Sequence, residues 1–123
     1  MRVEERAISD TAGTVLMHNI ADKGGKRILR KGILLTEEHI AQLAVLDRPT
    51  VHVAVLETDD VHEDEAAVAL ATALKTQELY LSRPSGGRVN LRAEADGLLE
   101  IDADRLLELN MLPGITLATR RQH

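Results

Sequence analysis

Two short stretches of this chain concentrate the residue types with which proteins hold anions. The first is Gly24-Gly25-Lys26-Arg27, continued by Arg30 and Lys31. The second is Ser82-Arg83-Pro84-Ser85-Gly86-Gly87-Arg88-Val89-Asn90. Backbone N–H groups at a glycine turn form an anion-binding concavity, and neighbouring arginines add charge-assisted, bidentate bonds. The first stretch lacks the earlier glycine and the hydroxyl residue after lysine that a phosphate-binding P-loop uses. It reads either as an anion hook or as a plain hairpin turn. In the second, Arg83, Ser85, Arg88 and Asn90 read either as a ligand loop or as an ordinary β-turn.

The densest set of metal-ligand types is His62-Glu63-Asp64-Glu65, where His62 and Glu65 would project from one side of a helix. A metal site needs three or four protein ligands and this segment has one histidine, so no metal is expected. An acidic helix N-terminus, stabilised by the helix dipole, accounts for the same residues. His18, His39 and His52 fall on two apparent strands and a helix. No serine or threonine stands in a nucleophile-elbow context, and nothing in the spacing joins the histidines into a site. The chain alone is therefore expected to lack a complete catalytic site.

The elements that would position these residues follow from pattern. Ala12–His18 reads as a strand, Ala21–Lys26 as a turn with paired glycines, and Arg27–Arg30 as the return arm of a hairpin. Thr36 suits a helix N-cap, followed by Glu37 and Glu38 at the positive end of the dipole and by Ile40, Leu43, Ala44 and Leu46 at helical spacing. Val51–Leu56 is β-branched at alternate positions and reads as a strand. A second, alanine-rich helix is expected from about Asp60, whose spacing to Glu63 resembles a capping box. Strands are expected at Glu78–Ser82, Arg88–Glu94, Leu98–Ile101 and Ile115–Thr119, with a short helix capped by Asp102 and closed by Asn110. The fold class is α+β: a small mixed or antiparallel sheet, two to three short helices and a mainly β C-terminal half. We read residues 1–123 as one domain, within which 1–75 form a strand–helix unit and 76–123 a mainly β unit.

Composition bounds the function. In 123 residues there is one aromatic, Tyr80, so stacking of a flat ligand has little to work with and the core must be aliphatic. Cysteine is absent, which removes disulfides, thiolate nucleophiles and iron–sulfur clusters and fits a reducing cytosol. A net charge of −5 argues against a general nucleic-acid binder, and no apolar run approaches the length of a membrane span. Charge is uneven. Lys23, Lys26, Arg27, Arg30 and Lys31 cluster, as do Glu57, Asp59, Asp60, Glu63, Asp64 and Glu65. The two clusters read as solvated surfaces, with an anion site on the basic stretch, or a contact between the two clusters within or between chains, as the alternatives.

Four stretches carry a resemblance to a known family. They are Gly13-Thr14-Val15-Leu16-Met17-His18-Asn19-Ile20, Arg30-Lys31-Gly32 with Leu35-Thr36-Glu37-Glu38-His39-Ile40, Val61-His62-Glu63-Asp64-Glu65-Ala66-Ala67, and Gly87-Arg88-Val89-Asn90-Leu91 with Gly97-Leu98-Leu99. In this order the chain resembles the N-terminal region of bacterial molybdopterin-binding proteins related to molybdopterin molybdotransferase. The resemblance implies that the pterin-phosphate site and catalytic carboxylates belong to a downstream α/β domain. This sequence stops at Arg121-Gln122-His123 without one, as an excised N-terminal domain or a short relative would. The expected function is a noncatalytic domain of cytoplasmic molybdenum-cofactor biosynthesis. It would position molybdopterin or another anionic ligand through Lys26, Arg27, Arg30, Lys31, Arg83, Ser85, Arg88 and Asn90, or hold a downstream or partner cofactor-binding domain. The alternative is a protein-interaction or self-association module, a homo-oligomer among its forms. Convergence of Arg83 and Arg88 with the basic hairpin on one concave surface would favour the ligand reading.

Overall fold

In a computed structural model, which describes residues 1–120, the chain is α+β with small antiparallel sheets and three α-helices. It divides into two compact units, Met1–Arg92 and one beginning at Ala93. Arg121, Gln122 and His123, the expected point of continuation into a further domain, lie outside the described residues.

The first unit is organised on strand β5 (Thr50–Val55), which stands between β1 (Arg2–Ala7) and β2 (Val15–Leu16) and pairs antiparallel with both. Period-two alternation sorts β5 onto two faces. Val51 and Val53 point into the core, while Thr50 and His52 look away from it. The register sets Glu4 opposite Val53 and Arg6 opposite Val51, so the inward row of β1 is charged. Arg6 Nε donates to Glu4 Oε2 at 2.9 Å, and this bond holds the Glu4 carboxyl below its ordinary range. Neutralising each other at the sheet edge lets both sit half-buried. A hairpin of β3 (Ile20–Ala21) and β4 (Arg27–Leu29) follows β2. Its turn is closed by Asp22, whose Oδ1 accepts the N–H groups of Gly24 and Lys26, both at 2.9 Å.

Helix α1 (Glu37–Ala44) begins at Thr36, as expected. His39 takes the place usually filled by Glu or Gln in its capping box, and its Nδ1 accepts the Thr36 N–H at 3.1 Å. Leu43 on its inner side joins Ile8, Leu16, Ile20, Leu29, Leu35, Val51 and Val53 in one aliphatic core. Helix α2 (Glu63–Leu74) starts later than the capping-box spacing suggests. Asp60 is occupied elsewhere: Oδ2 accepts the Glu57 N–H at 2.9 Å and the Met1 amine at 2.7 Å. His62 caps the helix instead. After α2 the strands β6 (Leu79–Leu81) and β7 (Leu91–Ala93) form a two-stranded sheet.

In the second unit helix α3 (Ala103–Asn110) is capped by Asp102, which accepts the Arg105 N–H at 3.1 Å. The strands expected at Leu98–Ile101 and Ile115–Thr119 do not form. Apolar residues suit a strand only where a neighbouring ladder takes the backbone, and here Leu117 bonds to the Asn110 side chain instead. No helix among the described residues is long and apolar enough to cross a membrane.

Candidate functional site

The two cationic loops meet at the first turn of α2, through backbone and carboxylates. The turn after β4 is held from one side by Asn19, whose Oδ1 accepts the Lys31 N–H at 2.9 Å. From the other side the Gly32 carbonyl lies 2.7 Å from His62 Nε2, which donates to it. His62 Nδ1 is the acceptor of the Asp64 N–H at 3.3 Å, its capping bond. Both ring nitrogens of His62 are thus engaged by the fold. Glu65 beside it is exposed, and no cluster of three metal-ligand side chains occurs among the described residues.

The second loop is a tight reversal. Ser85 and Arg88 exchange backbone hydrogen bonds at 3.0 and 3.2 Å across Gly86 and Gly87, which adopt φ of 58° and 72°. Such positive φ is open to glycine at little steric cost. At the loop's base Ser82 Oγ accepts the Asn90 N–H at 2.9 Å. The Gly87 N–H, the kind of donor a phosphate would seek, is given at 2.7 Å to Asp64 Oδ1.

Glu63 completes the junction. A methyl group built on Gly32 would stand 3.0 Å from Glu63 Oε1, and one on Gly87 would stand 3.2 Å from Oε2. The Glu63 carboxylate therefore lies against both glycines at once. The sequence places Gly87 in a turn, and the structure adds close approach of both glycines to a carboxylate.

The expected ligand residues fall into separate groups. Lys26 and Arg27 line a groove of about 450 Å³ between β4 and the C-terminal end of α1, with Ile28, Val45 and Leu46 as its apolar part. An adjoining hollow of about 160 Å³ adds Lys23 and Arg48. Arg30, Lys31, Arg83, Ser85, Arg88 and Asn90 line neither of these and are exposed. Among the described residues no ion pair joins the basic cluster to the acidic one; their connection is the His62–Gly32 bond. The histidines do not gather in one site. His18 and His52 meet edge to face at 5.7 Å between ring centres, while His39 serves α1. Asn19, Glu63 and Val45 take positions that sequence reasoning missed. Asn19 bonds twelve residues away and Glu63 meets a loop more than twenty residues on, so neither leaves a local pattern.

Compared with known proteins, the chain matches no family model, no curated protein and no solved structure.

Proposed function

We propose that this chain is a noncatalytic accessory module that works by docking onto protein surfaces, in the setting of molybdopterin handling that its sequence resembles. The observation that carries this reading is the use of the second loop's Gly87 N–H. An anion seeking it finds Asp64 already bonded, with Glu63 alongside. A phosphate there would displace one carboxylate and be repelled by the other, a cost against binding. Apolar groups meanwhile remain available to a partner. Val3 is 58% exposed on the edge strand β1, Leu34 is 42% exposed where it bridges to Val15 of β2, and Val45 is 82% exposed beside the groove. Exposed aliphatic side chains with charged neighbours are what a protein partner buries.

The reading is tested by calorimetric titration of the chain with inorganic pyrophosphate and with molybdopterin, at low and moderate salt. No saturable heat is expected with either. Salt-sensitive binding that disappears in the Arg83→Ala/Arg88→Ala variant would overturn the docking reading and restore direct positioning of an anionic ligand.

A further inference from the structure

The second unit is an amphipathic arm whose apolar side is uncovered. Asn110 ties the chain after α3 back onto the helix: its Nδ2 donates to the Leu106 and Leu117 carbonyls at 3.1 and 3.0 Å, and its Oδ1 accepts the Leu117 N–H at 2.7 Å. Leu106, Leu109, Ile115 and Leu117 are half-buried in this small fold. Leu107 and Met111 are not, at 62% and 75% exposure. With about 3.6 residues per turn, Asp104, Leu107, Glu108 and Met111 share one side of α3. That side is an apolar stripe with an acidic edge. Neither Asp104 nor Glu108 has an ion pair among the described residues.

The groove of the first unit has the opposite character. Ile28, Val45 and Leu46 supply apolar surface, and Lys23, Lys26, Arg27 and Arg48 stand around it and the adjoining hollow. The acids there are Asp22, whose Oδ1 is already taken by two backbone N–H groups of the hairpin turn, and Asp47. The groove therefore offers apolar contact inside a net basic rim.

We infer that the α3 arm of one copy docks into the groove between β4 and α1 of a second copy, Leu107 and Met111 against Ile28, Val45 and Leu46, with Asp104 and Glu108 facing Lys26 and Arg27. This inference rests on the docking reading above and names its partner. The occupant is a second copy because one chain carries both halves of the complementarity. Two copies that each receive the other's arm would form an isologous pair.

Sedimentation equilibrium of the full chain tests it. A reversible dimer is expected, weakened when salt rises from about 0.05 to 0.5 M because exposed charges are then screened within a few ångströms. Lys26→Glu/Arg27→Glu and, separately, Asp104→Lys/Glu108→Lys should each weaken the dimer by about tenfold or more. Mixing the two variants should restore it, since each altered groove then faces an altered arm of opposite charge. All four substitutions are at exposed positions outside the core, and the restoration shows that each variant is folded. A monomer at every concentration, or a dimer indifferent to both pairs, overturns the inference. A monomer that also fails to bind pyrophosphate leaves the docking reading in place with a different partner, whereas pyrophosphate binding removes that reading itself.

Discussion

At Glu63 a single carboxylate lies against two glycines from different loops. Gly32 has φ of 89° and Gly87 has φ of 72°, and each lies where an added methyl would press on Glu63. Gly32→Ala is expected to destabilise the fold by about 1–3 kcal/mol, from backbone strain and from that contact together. In a Glu63→Ala background the contact is relieved and the strain is not, so the cost should shrink by about 0.5–1 kcal/mol without vanishing. Urea unfolding of the four species measures this, and strictly additive effects would show that Glu63 and Gly32 do not touch. His62 gives a second case. His62→Ala removes the cap of α2 and the bond to Gly32, and should cost about 1–2 kcal/mol. His62→Asn retains a capping oxygen but does not reach Gly32, so it should fall between wild type and alanine in the same assay. The sequence identified this segment as an acidic helix N-terminus, and Glu63, Asp64 and Glu65 do form the first turn of α2. The role of His62 was not legible, because its partner stands thirty positions away on a turn that only the folded chain brings near.

Elements with a local cause were legible in the sequence. Thr36 and Asp102 start their helices as N-cap chemistry requires, the β-branched run at Val51 makes the central strand, and the paired glycines after Asp22 make the hairpin turn. The opening strand β1 was not legible, because its inward row carries Glu4 and Arg6 where an amphipathic pattern would have apolar residues. Nor was its anchor. The Met1 amine lies 2.7 Å from Asp60 and 3.5 Å from Glu57, pinning the start of β1 to the connection between β5 and α2. The bond to Asp60 raises the amine's pKa, and the reciprocal bond lowers that of Asp60. A raised amine contributes stability that is lost as pH rises through its folded pKa. A lowered carboxyl contributes stability that is lost as pH falls through its folded pKa. The anchor should therefore be intact between roughly pH 4 and 8, the ordinary range separating the two groups, and should loosen outside it. Hydrogen exchange at the Glu4 amide, which the register turns toward β5, should accelerate beyond its intrinsic pH dependence on both sides of that window. Acetylating the Met1 amine should abolish the alkaline limb; an unchanged profile would show that the ion pair does not hold the strand.

At the scale of the whole molecule, the buried core belongs to one unit of the chain and an exposed helical arm to the other. Every buried apolar residue lies between Ile8 and Ala71, and none of residues 93–120 is buried. A segment that short cannot enclose a core of its own, which is why Leu98, Leu99, Leu107 and Leu112 remain exposed and why the composition, average for a globular chain, did not announce a second unit. The same division makes a strong expectation about cooperativity. Leu43, fully buried on α1, should cost about 2–5 kcal/mol when changed to alanine, enough to unfold a marginal domain. A chain ending after Glu94, which keeps β7 whole, should by contrast unfold in one transition with a midpoint close to that of the full chain. Native-state hydrogen exchange distinguishes this outcome from a shared core. Amides of Val51 and Val53 should be protected to the global unfolding free energy in both chains, while those of α3 in the full chain open locally at far lower cost. At concentrations where the full chain self-associates, protection of α3 should rise with concentration, and protection of β5 should rise only by the free energy of association. Loss of β5 protection on removing residues 95–123 would mean that the arm is part of the folding unit, and its apolar stripe would then belong to the core of its own chain instead of to a partner.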